Sequence, residues 1–277
     1  MAFLTRLNEF ISTFLAVFRQ LGQWRIWFVL LGYYLAQWLI LFVHYDYPSG
    51  SLSQLMTFWV SLFGPETADA YGHYPQHFLL LGRVSYWAKL IFGLVFEGLV
   101  LGMVAGMFCE RYRNPDESGK TSRLARWFNL TLVWTIVNGL MLAAGQLLPG
   151  LAAPYLVGPR RIVAFSFVFM PLVFSLTFAV FFLAIPSVIM YGDDALRAVG
   201  RSIRFFLGRP ITIFAFALFI LAVPILIGAL ASRPGGIVES FKPELVYWIL
   251  VTSLISEMIA GFFWMGVAVR FLYSEER

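Results

Sequence analysis

Six apolar stretches, at roughly 24–43, 89–109, 127–148, 165–190, 211–230 and 246–269, constrain this chain more than any other feature. About 20 apolar residues suffice for a helix to cross the hydrocarbon core of a bilayer. Inside that core each backbone donor and acceptor must find a partner within the protein, which a helix provides from its own segment. The expected fold is therefore all-α: a polytopic membrane protein with six transmembrane helices, flanked by two or three interfacial amphipathic helices, in one domain over 1–277. Charged residues are only 13% of the chain, against about 25% in soluble domains. The net charge of +5 comes from basic residues that flank the spans and build no separate basic domain. It reads as topology, and no nucleic-acid partner is expected. Cys109 is the sole cysteine, so no intrachain disulfide and no Cys-based metal cage can form.

Three polar stretches carry helical periodicity. In residues 1–22, Phe3, Leu7, Phe10, Phe14, Phe18 and Leu21 line one face, while Arg6, Glu9, Ser12 and Arg19 lie on the other. No continuous apolar core precedes a small-residue cleavage site, so an uncleaved interfacial helix is expected. Within the long connection 44–88, Leu52, Leu55, Met56, Trp59, Leu62 and Phe63 suggest a second surface helix ended by Gly64-Pro65. The third is Gly192–Pro210, GDDALRAVGRSIRFFLGRP, with a cytoplasmic amphipathic helix expected over 193–207. Asp193 is positioned to cap it, Gly208 to end it and Pro210 to stop its continuation. Arg197, Arg201 and Arg204 share one face and Leu196, Val199, Ile203, Phe206 and Leu207 the other. With Arg209, these arginines are the expected contact with anionic lipid or a partner protein at the membrane surface.

Six spans leave both termini on one side. With the N-terminus cytoplasmic, only Arg83, Lys89, Arg160, Arg161, Arg233 and Lys242 of the 20 basic residues fall outside. The other fourteen lie inside, which predicts cytoplasmic termini and places Cys109 at the inner face.

Few residues invite a chemical reading. NPDESGKT (114–121) resembles a phosphate loop but lacks the leading glycine and the strand–loop–helix context, so no nucleotide is expected. Glu66, Asp69, His73 and His77 are spaced for a metal face on a continuous helix. Gly72 and Pro75 interrupt that helix, so no metal is assigned and His73 and His77 remain weak candidates. Two carboxylates, Glu97 and Glu257, and one amide, Asn138, sit inside spans. A charge there costs about 2.5–3.5 kcal/mol on insertion scales, so these groups should face protein or water. Counted from span ends at 89 and 246, both acids fall at comparable depth, without a membrane-embedded basic partner. Gly98, Gly102 and Gly106 make a small-residue stripe, and Ser253 and Gly261 flank Glu257 one turn to either side, which suits close helix packing. Hydrogen-bonded packing is favoured over proton or cation handling for these acids. No histidine accompanies a nucleophile on the inner side and no HExxH is present, so no enzyme is expected. The 29 Phe suit lipid contact and packing, while a bound lipid, quinone or pigment tail would be an unspecific addition.

The segment PSVIMYGDDALRAVGRSIRFFLGRPITIF (Pro186–Phe214) resembles a bacterial family of six-span proteins. It includes YciC-like inner-membrane proteins and the membrane domain of some glycerophosphodiester phosphodiesterases. Its Ala-Leu-x-x-[small]-x-x-Ser-like segment is matched at Ala195, Leu196 and Ser202, with Gly200 one position past the small site. The resemblance implies a six-span fold in a bacterial plasma membrane and no defined activity, and no phosphodiesterase domain is attached here. The expected function is a non-catalytic scaffold or accessory subunit packing against other integral membrane proteins. The alternative is a transporter or channel-like protein using Glu97, Asn138 and Glu257.

Overall fold

A computed structural model describes residues 2–46, 58–62, 64–112, 123–231 and 234–275. The segment 114–121 and the positions Leu52, Leu55, Met56 and Phe63 lie outside the described residues. Among the described residues the regular elements are all helical. They are α1 (Ala2–Phe18), α2 (Trp24–Tyr45), α3 (Pro65–Tyr71), α4 (Gln76–Tyr112), α5 (Arg123–Ala152), α6 (Pro159–Ala164), α7 (Met170–Val180), α8 (Ala184–Tyr191), α9 (Ala195–Gly208), α10 (Pro210–Ala231), α11 (Pro234–Ser240) and α12 (Leu245–Glu275). Six helical stretches are long and apolar enough to cross a membrane: Trp24–Tyr45, Gln76–Tyr112, Leu124–Tyr155, Pro159–Tyr191, Pro210–Ala231 and Leu245–Glu275. The chain is an all-α polytopic membrane protein.

Several boundaries differ from the sequence expectation. α4 starts at Gln76, well before 89, because the apolar run Phe78–Leu81 extends the helix through Gly82-Arg83. α5 continues through Pro149 to Ala152, past the end of the third span expected at 148. The Pro-Gly-Gly after α10 opens the short helix α11, since proline is well suited to a first helical turn.

The chain divides into two compact units. The first comprises Met1–Leu31, Leu94–Ala222 and Ile259–Arg277; the second comprises Gly32–Gly93 and Val223–Met258.

In the first unit α1 is docked by aromatic packing. Phe10 stacks on Phe216 at 4.9 Å, and Phe14 meets Phe219 edge-on at 4.9 Å. Gly266 permits the approach: a Cβ there would lie 2.7 Å from Val17 and 2.9 Å from Phe108. Phe14 and Val17 are buried while Ile11, Leu15 and Phe18 stay exposed. The fourth span is interrupted twice. A π-helical turn at Phe165–Phe169 precedes Pro171, and a break separates α7 from α8 ahead of Pro186. Proline at 186 cannot donate to the Phe182 carbonyl. That oxygen instead accepts the Trp264 indole N–H at 2.8 Å. Ser202 bridges the break: its buried hydroxyl donates to the Val180 carbonyl at 2.7 Å and accepts the Leu183 N–H at 3.1 Å. Without such partners, each freed backbone group in an apolar interior would cost about 1–3 kcal/mol.

In the second unit Tyr45 stacks on Tyr247 at 4.3 Å, and the Trp38 indole donates to the Tyr247 hydroxyl at 3.0 Å. Tyr71, fully buried, donates to the His44 carbonyl at 3.0 Å.

Candidate functional site

The second unit holds the one described ion pair inside candidate spans. Thirteen residues into α4, Lys89 places its ammonium against the Glu257 carboxylate, twelve residues into α12. The other carboxylate oxygen accepts the Ser253 hydroxyl at 3.1 Å, from one turn earlier on the same helix. Glu257 therefore has a basic partner within the span, contrary to expectation. Lys89 reads in sequence as an end anchor because Tyr86 and Trp87 precede it, and such residues ordinarily mark the headgroup level. The early start of α4 moves it inward.

Lys89 lies beside Glu257, and Glu97 is eight residues further along α4, about 12 Å at the helical rise. The Lys89 and Glu257 side chains are 31% and 25% exposed, so the pair is neither sealed nor free. Opposite charges in contact, with one oxygen hydrogen-bonded, largely offset the cost of holding either charge in an apolar layer. The arrangement can therefore stabilise the span contact.

In the first unit the remaining intramembrane polar groups are placed separately. Glu97 is partly buried. Asn138 donates its amide to the Trp134 carbonyl on its own helix at 3.0 Å. The glycine stripe divides into tight and loose positions. A Cβ at Gly98 would lie 2.8 Å from the Leu130 carbonyl oxygen and 2.9 Å from Trp134 Cβ. At Gly102 it would meet the Leu130 side chain at 2.5 Å, and at Gly106 nothing closer than 4.0 Å. Gly261 faces Leu101 at 3.4 Å. Close α4–α5 packing thus uses Gly98 and Gly102.

Helix α9 departs from its two-faced expectation. Asp194, not Asp193, caps it by accepting the Arg197 N–H at 2.9 Å. Asp193 instead holds Arg201 at 2.7 Å, with the guanidinium 4.0 Å over the Tyr191 ring. Asn129 Oδ1 accepts the Ala195 N–H at 3.3 Å. The buried face is the small one, Ala195, Ala198 and Ser202, while Leu196 and Leu207 are exposed. Arg209 donates to Glu9 at 3.0 Å and to Glu275 at 2.7 Å, joining α1 to the last turn of α12. Arg201 and Arg209 are therefore spent within the protein. Arg204 is exposed, and Arg197, 80% exposed, pairs with Asp194 at 3.2 Å.

The histidines do not converge. His73 is exposed beside Asp69 at 3.7 Å, and His77 is buried at the start of α4. The chain leaves α3 at Tyr71, before His73, and enters α4 at Gln76, so the four ligand-type residues share no continuous helix. Among the described residues no group of three or more His, Cys, Asp or Glu forms a metal-binding cluster.

Lys89, Asn129, Trp264 and Gly266 escape the sequence reading as site or packing residues. Only Trp264 had a signal, since Pro186 creates a carbonyl that some donor must satisfy. Compared with known protein families, with curated proteins and with solved structures, the chain finds no match.

Proposed function

We propose that this chain is a non-catalytic scaffold or accessory subunit of a membrane-protein complex. The uncovered face of α5 carries the reading. Gln146 is exposed inside a candidate span. Gly139 and Gly150, on the same face, have no atom within 4 Å of an added Cβ. Thr135 begins this row. The third span is the least apolar of the six, yet it is among the least covered. Small residues and an amide suit an approaching helix better than lipid tails.

The charge asymmetry supports cytoplasmic termini, and the likeness of Pro186–Phe214 supports a YciC-like protein of a bacterial plasma membrane. Extraction in mild detergent tests the reading: a partner should co-purify at fixed stoichiometry, and Gly139→Leu with Gln146→Leu should reduce it. A chain that purifies alone, or a complex indifferent to both changes, would overturn it.

The Lys89–Glu257 pair favours a second reading, a transporter or channel-like protein. The set of Glu97, Asn138 and Glu257 would then give way to the ion pair as the charge-handling element. pH-dependent flux through the isolated protein in liposomes, lost in Glu257→Gln, would support it. Its absence would remove it.

A further inference from the structure

Helix α9 is amphipathic in three sectors. Ala195, Ala198 and Ser202 face the protein, and Leu196 and Leu207 are bare. The third sector is polar, and at its centre Arg204 is exposed. One turn to either side of Arg204, on the same face, lie Gly200 and Gly208, both exposed. A Cβ at either glycine would meet nothing within 4 Å. Packing therefore does not require these glycines, and Gly200, in the helix interior, costs about 1 kcal/mol of helix propensity relative to alanine. Together they leave bare backbone around one guanidinium.

The chain's course places this shelf. The candidate span Pro159–Tyr191 ends four residues before α9, and Pro210–Ala231 begins two residues after it. A helix tethered so closely to two spans lies at the boundary of the apolar layer, where Leu196 and Leu207 can enter lipid. Neighbouring cations do not compete equally for an anion there. Arg201 is held by Asp193 and Arg209 by Glu9 and Glu275. Arg197 lies seven residues before Arg204, about 10 Å along the helix, and its pairing with Asp194 is a solvent-exposed contact of the weak class.

We infer that Gly200, Arg204 and Gly208 form a binding shelf for the headgroup phosphate of an anionic phospholipid, with Arg197 as a secondary contact. The guanidinium supplies charge-assisted donors to the phosphate oxygens. The glycines let the headgroup approach the helix, while the acyl chains run beside Leu196 and Leu207. This inference does not depend on the subunit role.

The test reconstitutes the full chain in vesicles of equal phosphatidylcholine and phosphatidylglycerol, extracts it mildly, and measures both retained lipids by mass spectrometry. The wild-type protein should retain phosphatidylglycerol about fivefold in excess, the scale expected for one basic residue at an anionic surface. Arg204→Gln should bring the ratio close to one. Gly200→Leu should do the same with every charge intact, and Gly200→Ala should reduce the ratio less. Elution position and thermal stability verify that each variant is folded. No wild-type enrichment, or enrichment unchanged in folded Arg204→Gln, would overturn the site. Enrichment lost in Arg204→Gln but unchanged in Gly200→Leu would overturn the shelf.

Discussion

Removing the Lys89–Glu257 pair whole should cost far less than the sum of breaking it from either side. Lys89→Met leaves a carboxylate with only the Ser253 hydroxyl for support. A fully buried pair loses about 3–5 kcal/mol when one partner is removed, and a solvent-exposed pair is worth about 0–1 kcal/mol. Side-chain exposures of 31% and 25% place this pair between those limits, at about 2 kcal/mol, or about 30-fold in an equilibrium constant. Glu257→Leu should cost a similar amount, because it removes the carboxylate that the Lys89 ammonium meets. The double variant Lys89→Met/Glu257→Leu should recover most of one loss, giving a coupling of about 1.5–2 kcal/mol, within the range for residues in direct contact. Reversible unfolding of the four proteins in bicelles measures the cycle. Additive losses would show that the two side chains do not interact, and would refute the placement of Lys89 inside the span.

Three further outcomes follow from packing and backbone satisfaction. Gly98→Ala should destabilise by about 1–3 kcal/mol, the usual range for overpacking, because the added methyl meets the Leu130 carbonyl and Trp134 Cβ; Gly106→Ala should be nearly neutral in the same thermal-shift assay. Ser202→Val should cost about 1–3 kcal/mol, since Val180 O and Leu183 N lose their shared partner, whereas Ser202→Thr should retain part of it. Cys109 should resist a membrane-impermeant thiol reagent in intact cells and react after permeabilisation; efficient labelling of intact cells would reverse the proposed orientation.

The spans were legible because apolar length is a local property, readable without knowing what each helix touches. The depth of Lys89 was less legible. Its aromatic neighbours resemble an anchor, and only the helix upstream of it, from Gln76, shows that Lys89 lies within the candidate span rather than at its end. The faces of α9 show a similar limit. Sequence periodicity separates arginines from leucines, but it does not tell which apolar-compatible face meets protein. Ala195, Ala198 and Ser202 win that contact because small side chains allow close helix approach, leaving the larger leucines outward. Pairings such as Arg209 with Glu9, 200 residues apart in the chain, leave no local trace.

That last pairing bears on biogenesis. Glu9 is synthesised early, Arg209 much later, and Glu275 later still, yet one guanidinium holds both acids. The first unit is assembled from three separate segments of chain, so co-translational insertion cannot complete it span by span. Until α12 arrives, the Gly266 groove that receives Val17 does not exist. During that interval Phe14 and Val17 lack part of their packing, and the arginine clasp can close only once Glu275 has been made.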